Sequence, residues 1–334
     1  MAKLVYNTSM LNTTRTSNTP MTDNTLQRQL LVAFYCVVLL ATVAGNSLVC
    51  AAIYVDRRLR NHTNWFIASL AVSDLLYGCV SLPFRIAQQA MLQRISIYAC
   101  GLWIWADMAC ASASIANLAA ISVDRYIKIT KPLSYGILMT GRRVSLSIGG
   151  VWIYALLLAS LSLVDWGRDT NILATPRGAC LNTGKKIFYT VAMVVAFLTP
   201  LIILVVSYCR VYVTALKHFR KMQRCDAALS LDRTGRRQPG LIFKDFKATK
   251  TIAIVIGTFC VCWCPFFILF TVTQYISLNL APRAETFVLV TFVFVLPNLN
   301  SACNPLVYAC FCNDFRRAFR YILVKIANKF NATK

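Results

Sequence analysis

Seven long apolar runs constrain this chain more than any other feature. They fall at roughly 30–55, 63–90, 97–123, 144–165, 187–213, 249–275 and 284–310 of the 334 residues. About 20 apolar residues in helical form cross the hydrocarbon core of a bilayer. The composition agrees: 57% of residues are hydrophobic and 14% are charged, whereas a soluble domain is about 25% charged. The chain therefore reads as an all-α membrane protein, a seven-transmembrane helix bundle. An odd number of crossings puts the two termini on opposite sides.

Lys and Arg set the orientation, because they collect on the cytoplasmic side. With the N-terminus outside, the inner segments are 56–62, 124–143, 210–250 and 311–334. They hold three, five, eleven and six basic residues, 25 of the 35 in the chain. A multi-pass plasma-membrane protein with an extracellular N-terminus is expected. The net charge of +23 is then a topology signal plus attraction to the anionic inner leaflet. It does not mark a nucleic-acid surface, because the basic residues flank membrane spans. Sequons at Asn7 and Asn12 suit glycosylation of an outer tail. Residues 1–25 lack an apolar signal core, so the first span is expected to act as its own insertion signal. Three regions follow: a polar tail (1–28), the membrane domain (29–310), and an amphipathic helix with a cytoplasmic tail (311–334). Of 14 cysteines, only Cys100 and Cys180 fall on the oxidising side, which predicts a disulfide between them.

Residues 214–247 read as the longest loop, basic and broken by Thr234-Gly235 and Pro239-Gly240. Residues 313–323 alternate aromatic and basic side chains at helical spacing, as in a short eighth helix lying on the inner membrane surface. Within the spans, carboxylates are rare. Asp107 lies in the third span, where a charge costs about 2.5–3.5 kcal/mol on insertion scales. Eighteen residues on come Asp124, Arg125 and Tyr126, roughly 27 Å along the same helix. Asp74, in the second span, shares its depth with Asn46, Ser114, Asn300, Ser301 and Asn304. One carboxylate among hydroxyl and amide oxygens suits a small hard cation, and equally suits polar contacts between helices. In the sixth span, Cys262-Trp263-Cys264-Pro265-Phe266-Phe267 carries a helix-kinking proline. Trp263 lies about 27 Å from Asp245, the same rise that separates Asp107 from Arg125. If Arg125 and Asp245 pair, Asp107 and Trp263 share a level. An anion facing aromatic rings suits an organic cation; ordinary aromatic packing is the plainer alternative.

Taken together, these motifs resemble the rhodopsin-like G-protein-coupled receptors over about 28–323. The landmarks are Gly45-Asn46-Ser47-Leu48-Val49, Leu70-Ala71-Val72-Ser73-Asp74, Asp124-Arg125-Tyr126, Trp152, Pro200 with Tyr208, Cys262–Pro265 and Asn304-Pro305-Leu306-Val307-Tyr308. The resemblance is greatest to the monoamine receptors. It implies a ligand site of Asp107, Met108, Ala111, Ala192, Met193, Ala196, Trp263, Phe266, Phe267, Phe294 and Asn298. It implies an allosteric sodium ion at Asp74, Ser114, Asn300, Ser301 and Asn304, with no other cofactor or metal. A core switch of Ile115, Pro200 and Phe259 is implied, as is a G-protein switch of Asp124, Arg125, Tyr126, Tyr208, Asp245 and Tyr308. The implied partners are a small-molecule amine, a heterotrimeric G protein, arrestin, a receptor kinase and membrane lipid.

The sequence also departs from that pattern. Ala192, Met193 and Ala196 stand where fifth-span serines are usual, which disfavours catecholamines. Asn298 and Val295 replace an aromatic pair in the seventh span. Arg85, about three turns outward of Asp74, is placed either to pair with Asp107 or to accept an acid group of a ligand. The usual palmitoylated cysteine after the eighth helix is missing. An opsin is excluded because residues 284–310 contain no Lys for a Schiff base. A transporter or channel is the alternative of a different class; the lack of an internal repeat disfavours a transporter, and no nucleophile–base constellation suggests an enzyme. The expected function is an amine receptor that activates a G protein; a receptor of the same fold for a non-amine or amphoteric small ligand, or for a peptide, is the alternative.

Overall fold

The computed structural model describes residues 22–91, 96–164, 172–174, 180–182, 190–229, 240–275, 287–288 and 290–332. Among these, six helices are long and apolar enough to cross a membrane: Thr25–Val55, His62–Ala90, Tyr98–Thr130, Gly141–Leu161, Thr190–Thr214 and Thr251–Leu269. The seventh crossing is built from Val290–Val295 and Leu296–Phe311. Side-chain caps start several helices: Asn61 accepts from the Asn64 amide, Ser96 from Ala99 and Thr140 from Arg143. Each satisfies an amide that the helix leaves unpaired.

Several helices outrun the apolar signal. The first begins at Thr22, inside the segment read as a tail. The third runs to Thr130 and carries Asp124, Arg125 and Tyr126 within it. The fifth continues to Leu229 and the sixth starts at Gly240, so most of the expected 214–247 loop is helix. The Thr234-to-Pro239 breaker lies outside the described residues. These extensions are polar and project past the bilayer, where hydropathy stops reporting and helix propensity continues. The eighth helix spans Asn313–Ala332, longer than the expected 313–323. Its Phe315, Ala318 and Phe319 are buried in the main core, so part of its apolar stripe packs on the bundle rather than on lipid.

Wide π-helical turns interrupt three spans at Tyr77–Ser81, Met193–Leu198 and Val290–Val295. A π turn absorbs an extra residue, so the helix beyond it is rotated relative to a regular α-helix. All three lie in the half of the bundle that also holds Asp107. A short antiparallel hairpin, β1 (Ile172–Ala174) with β2 (Cys180–Asn182), follows the fourth span; β1 packs against the third. No period-two alternation marks it in the sequence.

The third span packs against the second, fourth and fifth and is the centre of the bundle. Polar side chains cross-link the spans: Trp152 Nε1 donates to Ser69 at 3.1 Å, Trp105 Nε1 to Ser160 at 3.2 Å and Asn46 Nδ2 to the Ser301 carbonyl at 3.0 Å. Large apolar side chains such as Leu40, Leu157 and Ile202 are exposed on the outside; lipid covers that surface in a membrane. The first and seventh spans approach closely at Gly45. A Cβ there would sit 2.8 Å from Pro305 Cγ, and a proline ring cannot swing aside. Gly45→Val is expected to lose about 1–3 kcal/mol by overpacking, read as a lower melting temperature in detergent. Gly257→Ala, where an added Cβ meets nothing within 4 Å, should leave the melting temperature unchanged or raised. Equal behaviour of the two variants would show that this approach does not limit stability.

Candidate functional site

Three polar sites lie along the third span. In the first, Arg85 Nη2 donates to Asp107 Oδ2 at 3.2 Å, the one ion pair found among the described residues. The side chains are 17% and 23% exposed respectively, so the pair sits at the edge of solvent access. Trp103, one turn from Asp107 on the same face, lies beneath the guanidinium at 5.0 Å. Its ring in turn stacks on Phe84 at 5.2 Å. The buried Tyr35 and Tyr77 stand behind the pair, within electrostatic reach of Arg85. Asp107 Oδ1 and Arg85 Nε are enclosed and lack a hydrogen-bond partner. Trp103 was legible in principle: it is four residues from Asp107, and i,i+4 neighbours share a helix face.

The remaining residues of the expected ligand site divide cleanly. Met108, Ala111, Ala192, Met193, Ala196, Trp263, Phe266 and Phe267 are all half-buried. Phe267 stacks on Phe197 at 3.8 Å and meets Phe266 edge-on at 5.2 Å. Trp263 lies 5.7 Å from Phe267 and 6.3 Å from Phe259. Met193 accepts from the Thr271 hydroxyl and ties the fifth span to the sixth. Asn298 differs from this set: it is fully buried, and its amide oxygen accepts from the Tyr77 hydroxyl. It braces the second span rather than lining the cleft. The Phe294 side chain lies outside the described residues.

Deeper in the bundle, Asp74 is completely buried. Asn304 Nδ2 donates to its Oδ2 at 2.8 Å, and Ser301 interacts with the same carboxylate. Its Oδ1 has no partner, and neither does Oδ1 of the neighbouring Asn46. Ser114 is hydrogen-bonded to Ser73 at 3.0 Å, a residue outside the expected set. Asn300 is buried at 3% exposure. A buried carboxylate and an amide, each with an unused oxygen, are what a hard cation would use; these residues fit a sodium ion.

At the inner end, the neighbours Asp124 and Arg125 form no salt bridge. Tyr135 donates to Asp124 Oδ1 at 2.8 Å and Thr63 donates to Oδ2. Both oxygens thus have neutral donors, one from the second span and one from the following loop. Burial pushes the Tyr135 phenol up from its usual range, with the Asp124 charge adding to the effect. Arg125 is buried with Nε unpartnered, and Tyr208 lies near enough to interact with it. Tyr126 is half-buried. Tyr308 is buried and stacks on Phe315 of the eighth helix at 5.4 Å. The Asp245 side chain, and with it the Arg125–Asp245 contact, lies outside the described residues. No sequence signal placed Tyr135 over Asp124, because that contact depends on how the loop folds back.

Between the ligand cleft and the inner end, Ile115, Phe197 and Phe259 are buried in one core cluster, and Pro200 is buried beside it. Cys100 is fully buried and disulfide-bonded. Cys180 sits on β2, though its side chain lies outside the described residues, as do Asn7 and Asn12.

Residues 45–308 match the family described as 7 transmembrane receptor (rhodopsin family). The chain belongs to that family. Its members are receptors, not enzymes, and they act with small-molecule ligands and G proteins. The receptor is 34% identical over 308 residues to the histamine H2 receptor of Cavia porcellus, covering 90% of this chain and 81% of that protein. It is 34% identical over 319 residues to the 5-hydroxytryptamine receptor 4 of the same animal, covering 89% and 80%. A probable G-protein coupled receptor, No18, of Amphibalanus amphitrite is 29% identical over 340 residues, covering 87% and 89%.

The clamp on Asp124 yields a stability prediction. Thr63→Ala and Tyr135→Phe each remove a donor from a buried carboxylate, which typically costs about 1–3 kcal/mol. Each should lower the melting temperature of the receptor in detergent. Tyr98→Phe, at an exposed position, should not. If Thr63→Ala and Tyr135→Phe melt like wild type, Asp124 is held by something else.

Proposed function

We propose that this receptor binds a small extracellular amine and activates a heterotrimeric G protein at the inner membrane face. The carrying observation is Asp107. It is a partly exposed carboxylate at membrane depth, on a helix that reaches Arg125 without a break. The cleft wall formed by Trp263, Phe266 and Phe267 suits an organic ammonium by cation–π attraction and apolar contact. Likeness to receptors named for histamine and 5-hydroxytryptamine supports the amine. The distribution of Lys and Arg supports an extracellular N-terminus. A Cys100–Cys180 disulfide would tie β2 over the third span and shape the cleft mouth.

For signalling, Arg125, Tyr208 and Tyr308 are the residues that meet the G protein or hold the open state. Asp124, kept by Thr63 and Tyr135, fixes the helix end that carries Arg125. Asp245 on the sixth helix is the candidate partner of Arg125 when closed. Arrestin and a receptor kinase would use the same cytoplasmic face, and the basic eighth helix would rest on anionic lipid. Asp74, Ser301, Asn304 and Asn46 would hold sodium, with Ser114 and Asn300 beside them.

Two outcomes test this reading. Removing one partner of a buried charge pair typically costs about 2–5 kcal/mol, so Asp107→Ala should lower the potency of an activating biogenic amine more than tenfold at equal surface expression. Unchanged potency would remove Asp107 as the anchor. An ion that prefers one of two receptor states weakens ligands that prefer the other. Agonist affinity in membranes should therefore fall as sodium is added, and Asp74→Asn should abolish the effect. A sodium response that survives Asp74→Asn would place the ion elsewhere.

A further inference from the structure

An amine anchor that already has a cation bound to it presents a specific problem. The Asp107 carboxylate is engaged by Arg85 at 3.2 Å. Arg85 is held in turn by the Trp103 ring beneath it, with the Tyr77 hydroxyl close by. Tyr77 is itself bonded to Asn298, and Trp103 is backed by Phe84. The guanidinium cannot shed its proton. A ligand therefore meets a fixed cation next to the anion it must reach.

Charge balance then decides which ligand fits. Arg85 and Asp107 together are neutral. A simple ammonium would leave the site with a net positive charge in a medium that solvates charge poorly. It would also bring two cations within a few ångströms of each other. An anion would leave the opposite excess. A zwitterion adds no net charge and turns one ion pair into two.

We infer that Arg85 and Asp107 form one dipolar subsite for a zwitterionic ligand, its ammonium on Asp107 and its acid group on Arg85. The inference rests on the reading of Asp107 as amine anchor and narrows the ligand class. An α-amino acid suits the subsite because its opposite charges sit on adjacent carbons, as compact as the Arg85–Asp107 couple. A longer ω-amino acid would have to fold back to present both. The body of the ligand is apolar or aromatic. Ala111, Ala192, Met193 and Ala196 offer no hydroxyl at the half-buried wall, and Trp263, Phe266 and Phe267 supply ring surface. The guanidinium is planar and takes a carboxylate with two parallel hydrogen bonds, so Arg85 is suited to the acid group in particular.

Matched pairs of probes separate the possibilities. Full-length receptor in detergent is titrated with each standard L-amino acid and with its decarboxylated amine, such as tryptophan against tryptamine, and thermal stabilisation is read. In wild type, at least one amino acid should stabilise at a concentration about tenfold or more below that of its amine. Arg85→Gln removes the charge at similar size and should reverse that order. Arg85→Lys keeps the charge without the fork and should keep the order at reduced affinity. Asp107→Asn should lose both members of the pair. Stabilisation of wild type by amines but by no amino acid, lost in Asp107→Asn, would overturn the zwitterion and leave the amine anchor intact. Amino-acid binding that survives Asp107→Asn would overturn both. Equal weakening of the two probes by Arg85→Gln would make Arg85 a structural support, and no response of wild type to any amino acid would also overturn the inference.

Discussion

In hydrocarbon a polar side chain has no water to bond with, so it pairs with protein or remains unsatisfied. That constraint orders the interior of this receptor. The buried polar groups of the first, second, third and seventh spans find one another at successive depths: Arg85 with Asp107, Tyr77 with Asn298, Asp74 with Asn304, Ser73 with Ser114 and Asn46 with the Ser301 backbone. Each contact joins two different spans. Between helices in lipid such hydrogen bonds are worth about 0.6–2 kcal/mol apiece. Their greater consequence is register, because a helix that slid or turned would leave several groups unpaired at once.

The other side of the bundle obeys a different rule. Between the fifth and sixth spans the contacts are largely aromatic: Phe197, Phe259, Trp263, Phe266 and Phe267 in one connected group. Ring contacts prefer certain geometries by about 0.5–1.5 kcal/mol, yet they can be remade after a shift. Pro265 lies within this group and removes a backbone donor from the sixth helix. The π turn at Met193–Leu198 loosens the regular ladder of the fifth.

Much of this was legible in the sequence, for identifiable reasons. Span number, order and approximate position follow from apolar run length, which the bilayer enforces. Asp74, Asp107 and Arg125 stand out because ionisable groups in such runs are rare. The two outcomes offered for Arg85 came from its depth on the second span, and the structure realises the pairing with Asp107. What stayed hidden depends on azimuth and on chain return. The π turn before Arg85 sets which way the outer part of the second span faces, and periodicity cannot see it. Asn298 points to Tyr77 rather than into the cleft because of rotation, not depth. Asp124 turned from its sequence neighbour Arg125 toward Tyr135 and Thr63, contacts made by folding of the inner loop and by packing of the second span. Hydropathy also ends at the membrane surface, so it missed the polar extensions of the fifth and sixth helices.

The division between a hydrogen-bonded half and an aromatic half bears on how binding can become movement. Directional bonds at fixed depth resist small displacements, since each must break before another forms. Aromatic packing tolerates them, provided the rings stay in contact. On the proposed reading, a ligand that joined Asp107 to Trp263, Phe266 and Phe267 would span both halves, and its binding energy would act on the softer one. The stiff half gives the reference frame: the third span, held by the second through Ser73–Ser114 and Thr63–Asp124, carries Arg125 at its inner end. Against that frame the sixth helix, which carries Pro265 within it and extends inward to Gly240, would be the long lever. A small rotation at the rings becomes a larger displacement at the inner tip, because the lever is longer on that side of the proline. Ile115, Phe197 and Phe259, buried in one apolar cluster between the rings and the inner end, lie where such a movement would have to pass.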